Sequence, residues 1–212
     1  MLKAVIMDFD GVIIDTELMW HQVTTQWFKE THDYDLPMAE FGLSVGSSEE
    51  ALFDFLATER GIVVDRQGFY NACGPAVQAL CQHIPVKAGV TSFIQSVKAA
   101  GLGLALATSS DDYHAHTHLK RLGLFDYFDA IVTRDQVTNI KPAPDLFLRA
   151  LSQLGVAAHE AVIIEDSVNG LRAGISAGIR VINIPTEATA TLDFTGCHLL
   201  LTSIDQVVLD QL

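Results

Sequence analysis

Short, nearly continuous apolar runs alternate with longer stretches of helical periodicity along most of the chain. An apolar run of four to seven residues is typical of a strand that is buried on both faces of a parallel sheet. The longer stretches at 90–100 and 146–154 are each closed by a glycine, Gly101 and Gly155, which suits the left-handed end of a helix. The predicted strands are 2–7, 103–107, 130–132, 161–164 and 180–184. This alternation predicts an α/β fold, a doubly wound parallel sheet with helices on both faces.

Residues 16–84 interrupt that alternation. Helical patterns cover 17–31, 48–60 and 67–83, and no convincing strand separates them. We therefore expect a core domain formed by residues 1–15 and 85–212, and a small helical cap domain formed by residues 16–84. The insert contains 3 basic and 10 acidic residues, so that its formal charge is 3 − 10 = −7.

Composition limits the partners that such a protein can have. With 49% hydrophobic and 18% charged residues, the chain of 212 residues has the apolar content of a folded protein. The whole chain has 13 basic and 26 acidic residues, a formal charge of −13, which disfavours binding to nucleic acid or to an anionic membrane surface. No apolar stretch approaches the roughly 18 residues of a membrane span. We expect a cytoplasmic monomer whose partner is a small molecule.

Polar residues with chemical potential collect where the predicted strands end. Since the carboxyl ends of parallel strands meet at one edge of a sheet, these side chains should lie close together. Crowded carboxylates repel one another unless a cation lies among them, and a set of oxygen ligands suits Mg²⁺. Such a site supports phosphoryl transfer, with one carboxylate as the nucleophile and a lysine opposing the negative charge. The residues concerned are Asp8, Asp10, Thr108, Ser109, Ser110, Lys141, Glu165 and Asp166.

Around these residues the chain resembles the haloacid dehalogenase-like superfamily. The resemblance covers the whole chain and is strongest to the helical-cap branch that holds beta-phosphoglucomutase and small sugar-phosphate phosphatases. It implies a Rossmann-like core with an inserted helical cap. The segments that match the four motifs, in the expected order, are DFDGVIIDTE, LALATSS, KPAPDLF and IIEDSVNG.

The resemblance also implies roles for individual residues. Asp8 would be the nucleophile that becomes an aspartyl-phosphate, and Asp10 the acid and base, a role that works best when the pKa is raised toward neutrality. Lys141 would offset the charge of Asp8 and of the phosphoryl oxygens. The implied ligands of Mg²⁺ are Asp8, Asp10 through its backbone carbonyl, Glu165 and Asp166. The implied phosphate- and substrate-binding set is Gly11, Ser47, Ser48, Thr108, Ser109 and Lys141.

The same comparison of motifs predicts the reaction. The dehalogenases of the superfamily lack the second aspartate of the first motif, so Asp10 favours phosphoryl transfer. Beta-phosphoglucomutases carry an arginine in the cap segment where this chain reads VGSSEE at 45–50. We therefore expect a phosphoric monoester hydrolase, a Mg²⁺-dependent phosphatase of a small phosphorylated metabolite such as a sugar phosphate. A phosphomutase remains the alternative, and a non-catalytic phosphate-binding regulator is disfavoured because no catalytic group is missing.

Several other features have competing interpretations. Residues 42–46 match the GxSxG pattern of serine esterases, which requires a preceding strand that Pro37 disfavours. The three histidines at 114, 116 and 118 favour a solvated helical face over a metal site. Either Trp20 or His21 could face the cleft. Glycines at 170, 174 and 178 predict a helix that packs closely on the sheet.

Overall fold

Six parallel strands form one sheet in the order β3-β2-β1-β4-β5-β6, in a computed structural model that describes residues 1–212. The central strand β1 pairs with β2 on one side and with β4 on the other, so the chain reverses its direction of winding between β1 and β4. The predicted doubly wound sheet is confirmed, and β6 is an additional edge strand too short for its pattern to be recognised. The strands are β1 (Ala4–Met7), β2 (Gly103–Ala107), β3 (Ala130–Val132), β4 (Ala161–Glu165), β5 (Arg180–Asn183) and β6 (Leu199–Leu200).

Eight α-helices accompany the sheet, and none of them has the length and apolar character needed to cross a membrane. A π-helical turn at Leu56–Arg60 continues α3, so the single helix predicted at 48–60 is divided. The short helix α2 was not predicted. The helices are α1 (Glu17–His32), α2 (Met38–Phe41), α3 (Glu50–Phe55), α4 (Arg66–Cys81), α5 (Val90–Ala99), α6 (Asp112–Arg121), α7 (Asp145–Leu154) and α8 (Val168–Ser176).

Each face of the sheet has its own hydrophobic core. Ile94 of α5 and Leu119 of α6 are buried on one face, and Phe147 of α7 and Leu171 of α8 are buried on the other. The close packing predicted for α8 is present at Gly174, where a Cβ would lie only 2.4 Å from Cγ2 of Val181. The strands are therefore fixed from both sides, and their carboxyl ends are held in constant positions.

Helices α1 to α4 lie between β1 and α5 in the chain, and this segment contains no strand. It has a third apolar cluster, centred on the fully buried Phe28, Leu52 and Phe69. The segment thus buries its own aromatic side chains apart from the two cores of the sheet. The boundaries of a cap domain at 15/16 and 84/85 stay a prediction.

Candidate active site

A buried lysine from the loop after β3 contacts carboxylates at the carboxyl ends of β1 and β4. Lys141 has no exposed surface, and its Nζ lies 2.6 Å from Oδ1 of Asp8 and 2.7 Å from Oε1 of Glu165. Burial alone would lower the pKa of Lys141, but the two carboxylates outweigh burial and raise it. Burial raises the pKa of Asp8, and Lys141 opposes that effect. The lysine is therefore a permanent positive charge beside the Asp8 carboxylate.

Glu165, the last residue of β4, uses both of its carboxylate oxygens within the protein. Oε1 accepts from Lys141, and Oε2 accepts from the backbone N–H groups of Asp166 and Ser167 at 2.8 Å each and from Oγ of Ser167 at 2.9 Å. These contacts make Glu165 an anchor for the lysine and for the loop after β4. The sequence placed Glu165 among the metal ligands, and the structure gives its carboxylate this different set of partners, which the spacing of residues could not reveal.

The Asp166 carboxylate is buried without a hydrogen-bond donor. Neither of its oxygens has a partner, and the side chain is fully inaccessible. Burial raises its pKa well above the usual range, with the nearby Glu165 and Glu17 acting in the same direction. A buried charge is costly unless a cation or a donor offsets it. Ligand atoms of Asp8, Glu165 and Asp166 lie within 4.8 Å of one another. This buried acidic cluster fits a divalent cation, and the donor-free oxygens of Asp166 are its clearest ligands.

Gly11 makes room for that carboxylate. Its φ is 80°, and a Cβ at this position would lie 2.1 Å from Oδ2 of Asp166. The sequence placed Gly11 in the phosphate-binding set, but its N–H donates to the carbonyl of Ile14 at 2.7 Å and its carbonyl accepts from Lys87. Both backbone groups are thus used in the turn. What the position contributes is space and a left-handed backbone.

Three hydrogen-bond donors surround the carboxylate of Asp10. Oδ1 accepts from Thr16 at 2.7 Å and from Nε2 of His114 at 2.9 Å, while Oδ2 accepts from Oγ of Ser110 at 2.6 Å. Burial would raise the pKa of Asp10, but His114 first, then Ser110 and Thr16, outweigh burial and lower it to about 2. These hydrogen bonds move the pKa of Asp10 away from the neutral range that suits an acid and base, and the donor with the largest effect comes from a distant helix.

The three histidines of α6 lie in different surroundings. His118 is 5% exposed, and the ring of His114 lies 4.7 Å from it, centroid to centroid. His116 instead contacts the backbone carbonyl of Asp112 through Nδ1 at 2.8 Å. The interpretation of a solvated face is therefore wrong for His118, whereas His114, with a side chain 22% exposed, faces the cleft. Their spacing of four residues, which places both on one side of a helix, was the signal in the sequence.

The hydroxyl residues after β2 border the site. Thr108 is 1% exposed, and its Oγ1 accepts from the backbone N–H of Ser110 at 3.0 Å. Ser109 donates from Oγ to the carbonyl of Gly46 at 3.0 Å. Both residues line the cleft beside Asp8 and can offer hydroxyl or backbone groups to an anion.

A cleft of about 1090 Å³ separates these strand ends from helices α1, α2 and α4 and from the segment 44–49. Its lining from residues 16–84 contains no lysine or arginine. Trp20 lines the cleft, whereas His21 bonds to the carbonyl of Leu36 at 3.3 Å. Glu17, the last residue of the DFDGVIIDTE segment, also lines the cleft, although its sequence position alone predicts no role for it. Glu17 is 8% exposed, and burial, followed by the charges of Asp10 and Asp8, raises its pKa.

The segment 44–49 lies over the strand ends and is hydrogen-bonded to them. The carbonyl of Val45 accepts from Asn169 at 2.9 Å, and Oγ of Ser47 donates to the carbonyl of Lys141. Gly46 has φ of 77°, and a Cβ there would lie 2.0 Å from Oγ of Ser167. Ser48 lines the cleft as well. This segment, which we call the cap loop, therefore closes one side of the cleft by direct contact with the loops around Asp8.

Ser44, the serine of the GxSxG pattern, is not placed to act as a nucleophile. Helix α2, rather than a strand, precedes residues 42–46. Ser44 is buried, and its Oγ donates to the carbonyl of Phe41 at 2.8 Å. The esterase interpretation is wrong, because a nucleophile elbow needs a serine exposed at the end of a strand.

Similarity to known proteins extends over nearly the whole chain. The Bacillus subtilis (strain 168) protein YhcW is 35% identical over 195 residues, which are 92% of this chain and 88% of that protein. The phosphorylated carbohydrates phosphatase of Thermotoga maritima is 32% identical over 184 residues, 85% of this chain and 84% of the relative. Among solved structures, CbbY from Rhodobacter sphaeroides in complex with xylulose-1,5-bisphosphate has a TM-score of 0.79 and 29% identity, covering 96% of this chain and 95% of that one.

The family is shown by a match that includes every residue of the candidate active site. The model of the haloacid dehalogenase-like hydrolases matches residues 5–184, from β1 to the residue after β5. The resemblance found from the four motifs is thereby confirmed, together with the class of enzyme, since relatives in this family are named phosphatases. Five of the six strands, the buried lysine and the acidic cluster lie inside the matched region, and this chain belongs to the haloacid dehalogenase-like hydrolases.

Proposed function

We propose that this protein is a Mg²⁺-dependent phosphatase that hydrolyses a small phosphorylated metabolite, a sugar phosphate, through an aspartyl-phosphate. The observation that carries the proposal is the position of Asp8 between the charged Lys141 and the donor-free carboxylate of Asp166. The names of relatives agree with this substrate class, since one acts on phosphorylated carbohydrates and a structural neighbour holds a sugar bisphosphate.

The residues at the strand ends can perform the two steps of the reaction. In the first step an oxygen of Asp8 forms a bond to phosphorus while the bond to the leaving oxygen breaks. Asp10, whose hydrogen bonds hold its pKa low, must first take up a proton, and it gives that proton to the leaving oxygen. In the second step Asp10 takes a proton from water, whose oxygen bonds to phosphorus and releases Asp8. Lys141 opposes the negative charge throughout, and Thr108 and Ser109 offer donors to the phosphoryl oxygens.

Asp8, Asp166 and the backbone carbonyl of Asp10 are the groups that would hold magnesium. When bound, magnesium supplies positive charge that offsets the phosphoryl oxygens. Glu165 supports this set indirectly, because it holds both Lys141 and the backbone of Asp166 in place.

The cap side of the cleft supports a substrate with one phosphate. A second phosphate needs arginine or lysine, and residues 16–84 present neither to the cleft. A sugar or polyol whose far end carries hydroxyl groups suits the carboxylate of Glu17 and the serines of the cap loop. The phosphomutase alternative would depend on Arg121 and Arg134, the two arginines that line the cleft from the core side. Interconversion of sugar 1- and 6-phosphates with a bisphosphate activator would support it.

The test is release of inorganic phosphate from a panel of sugar, polyol and carboxylate monophosphates, with Mg²⁺ and with chelator. We expect turnover that requires Mg²⁺ and falls at least about 10³-fold in Asp8→Asn, because the nucleophile is lost. Asp35→Asn, at a surface position with an 80% exposed side chain, is the matched control and should keep full activity. Turnover that persists both without metal and in Asp8→Asn would contradict the proposal.

A further inference from the structure

We propose that His114 is a positioning residue for Asp10, and that it determines which oxygen of the Asp10 carboxylate exchanges the proton. By donating to Oδ1 together with Thr16, His114 leaves Oδ2 as the oxygen that serves the leaving group. The inference rests on the proposed function, because it assigns atoms within the acid and base step of that reaction.

The count of donors distinguishes the two oxygens. Each carboxylate oxygen has about two lone-pair sites. Oδ1 has both occupied, by Thr16 at 2.7 Å and by His114 at 2.9 Å. Oδ2 accepts only from Ser110, at 2.6 Å, and therefore has one site free. The Ser110 hydroxyl can rotate and accept instead of donate, so a proton on Oδ2 is compatible with its neighbour.

The imidazole of His114 is held in one orientation. Its ring meets Phe9 edge to face, with centroids 5.5 Å apart and planes at 85°, and it also packs against His118. The carboxylate of Asp111 accepts from the backbone N–H of His114 at 2.8 Å and caps the start of α6. With the ring and its helix both fixed, Nε2 points at Asp10 from a rigid support.

The donors on Oδ1 come from different parts of the molecule. Thr16 immediately precedes α1, the helix that begins the segment over the cleft, whereas His114 belongs to α6, which packs on the sheet. The bond from Thr16 depends on where α1 starts, and the bond from His114 does not. His114 is therefore the donor that fixes Asp10 relative to Asp8.

The test compares two probes that differ in their need for a proton. Phenyl phosphate and p-nitrophenyl phosphate have similar shapes, but p-nitrophenol is much the stronger acid and leaves without protonation. The value of kcat/KM reports steps up to departure of the leaving group. General acid catalysis contributes about 10²- to 10⁴-fold, so we expect His114→Phe to lower kcat/KM by about 10- to 100-fold for phenyl phosphate and by less than about 3-fold for p-nitrophenyl phosphate.

Two further variants distinguish a positioning role of His114 from a general effect on the structure. His114→Phe keeps an aromatic ring against Phe9 and His118 but has no donor, whereas His114→Gln keeps an N–H donor and should recover most of the activity on phenyl phosphate. His116→Ala, on the same helix but away from Asp10, should leave both probes unchanged. Thermal unfolding of each variant shows that it is folded, and His114→Asn replaces any variant that is not.

Each outcome decides between the inference and its alternatives. Equal loss for both probes in His114→Phe, or no loss for either, overturns the positioning role while leaving the phosphatase intact. A wild-type protein that hydrolyses neither the two probes nor any monophosphate of the sugar and polyol panel in an Asp8-dependent way overturns the proposed function, and the inference with it. A selective loss on phenyl phosphate that His114→Gln reverses supports the assignment of Oδ2.

Discussion

The two sides of the cleft are built on different physical principles. On the sheet side, Lys141, Glu165 and Asp166 are fully inaccessible, and the lysine lies between two carboxylates. On the opposite side, the cap loop is partly exposed and meets the sheet side through single hydrogen bonds from Asn169, Ser109 and Ser47. Buried charges in fixed pairs tolerate little change, while single hydrogen bonds can be replaced at small cost. The difference indicates that the chemistry is fixed by the sheet and that the cap can vary with the substrate.

The largest expected effect is that of removing the buried charge. Lys141→Met leaves Asp8 and Glu165 buried without a cation, and removing one partner of a buried pair costs about 3–5 kcal/mol. We expect that loss in the free energy of unfolding, measured with urea, together with loss of phosphate release. Lys98→Met, which breaks an exposed pair with Asp129, should cost at most about 1 kcal/mol. Retained activity in Lys141→Met would contradict the conclusion that the sheet side of the cleft tolerates less change than the cap side.

A smaller effect is expected where the two sides touch. Gly46→Ala combines a strained positive φ with a Cβ 2.0 Å from Oγ of Ser167, so the cap loop must lift away from the sheet side. We expect KM for the substrate to rise about 10-fold, which corresponds to about 1.4 kcal/mol, with a smaller change in the free energy of unfolding.

Gly61→Ala provides the matched control for that variant. Gly61 has φ of 68°, but nothing lies within 4 Å of an added Cβ. It should therefore show the backbone strain alone, as a loss of stability without a change in KM. An equal rise of KM in both variants would mean that the contact of Gly46 with Ser167 is not what seats the loop.

The smallest effect is expected from a single hydrogen bond across the cleft. Ser47→Ala removes the donor to the carbonyl of Lys141, and a hydrogen bond of this kind contributes about 0.5–1.5 kcal/mol. We expect a decrease of kcat/KM of up to about 10-fold in steady-state assays. Ser96→Ala removes a similar bond to the carbonyl of Phe93, far from the cleft, and should leave kcat/KM unchanged. A decrease as large as that of Lys141→Met would contradict the comparison.

The sheet and the set of strand-end residues could be predicted because both depend on local patterns. Two predicted strands, Gly103–Ala107 and Ala130–Val132, have the same bounds in the structure, since short apolar runs between glycines and polar turns leave little choice. Lys141 could be placed because its motif is continuous in sequence. These features require no knowledge of which residues approach from elsewhere.

The partners of the charged groups could not be predicted in the same way. His114 reaches Asp10 across 104 positions of the chain, and this contact helps to outweigh burial and to lower the pKa of Asp10. Both carboxylate oxygens of Glu165 have hydrogen-bond donors, namely Lys141 and N–H groups of the following loop. This arrangement depends on the turn after β4. Long-range packing decides both, and a single sequence carries no direct signal of it.

The end of β4 and the first residues of the following loop, Glu165 to Ser167, limit how this site can change during evolution. Their successive side chains each occupy the space left by a glycine of another segment or of the following helix: Glu165 at Gly170, Asp166 at Gly11 and Ser167 at Gly46. A methyl group at any one of these glycines would displace a different side chain, and so would disturb the lysine anchor, the acidic cluster or the seat of the cap loop. A substitution at one of the three glycines should therefore disturb only the side chain that it contacts. A lineage that changes one of these three features can keep the other two.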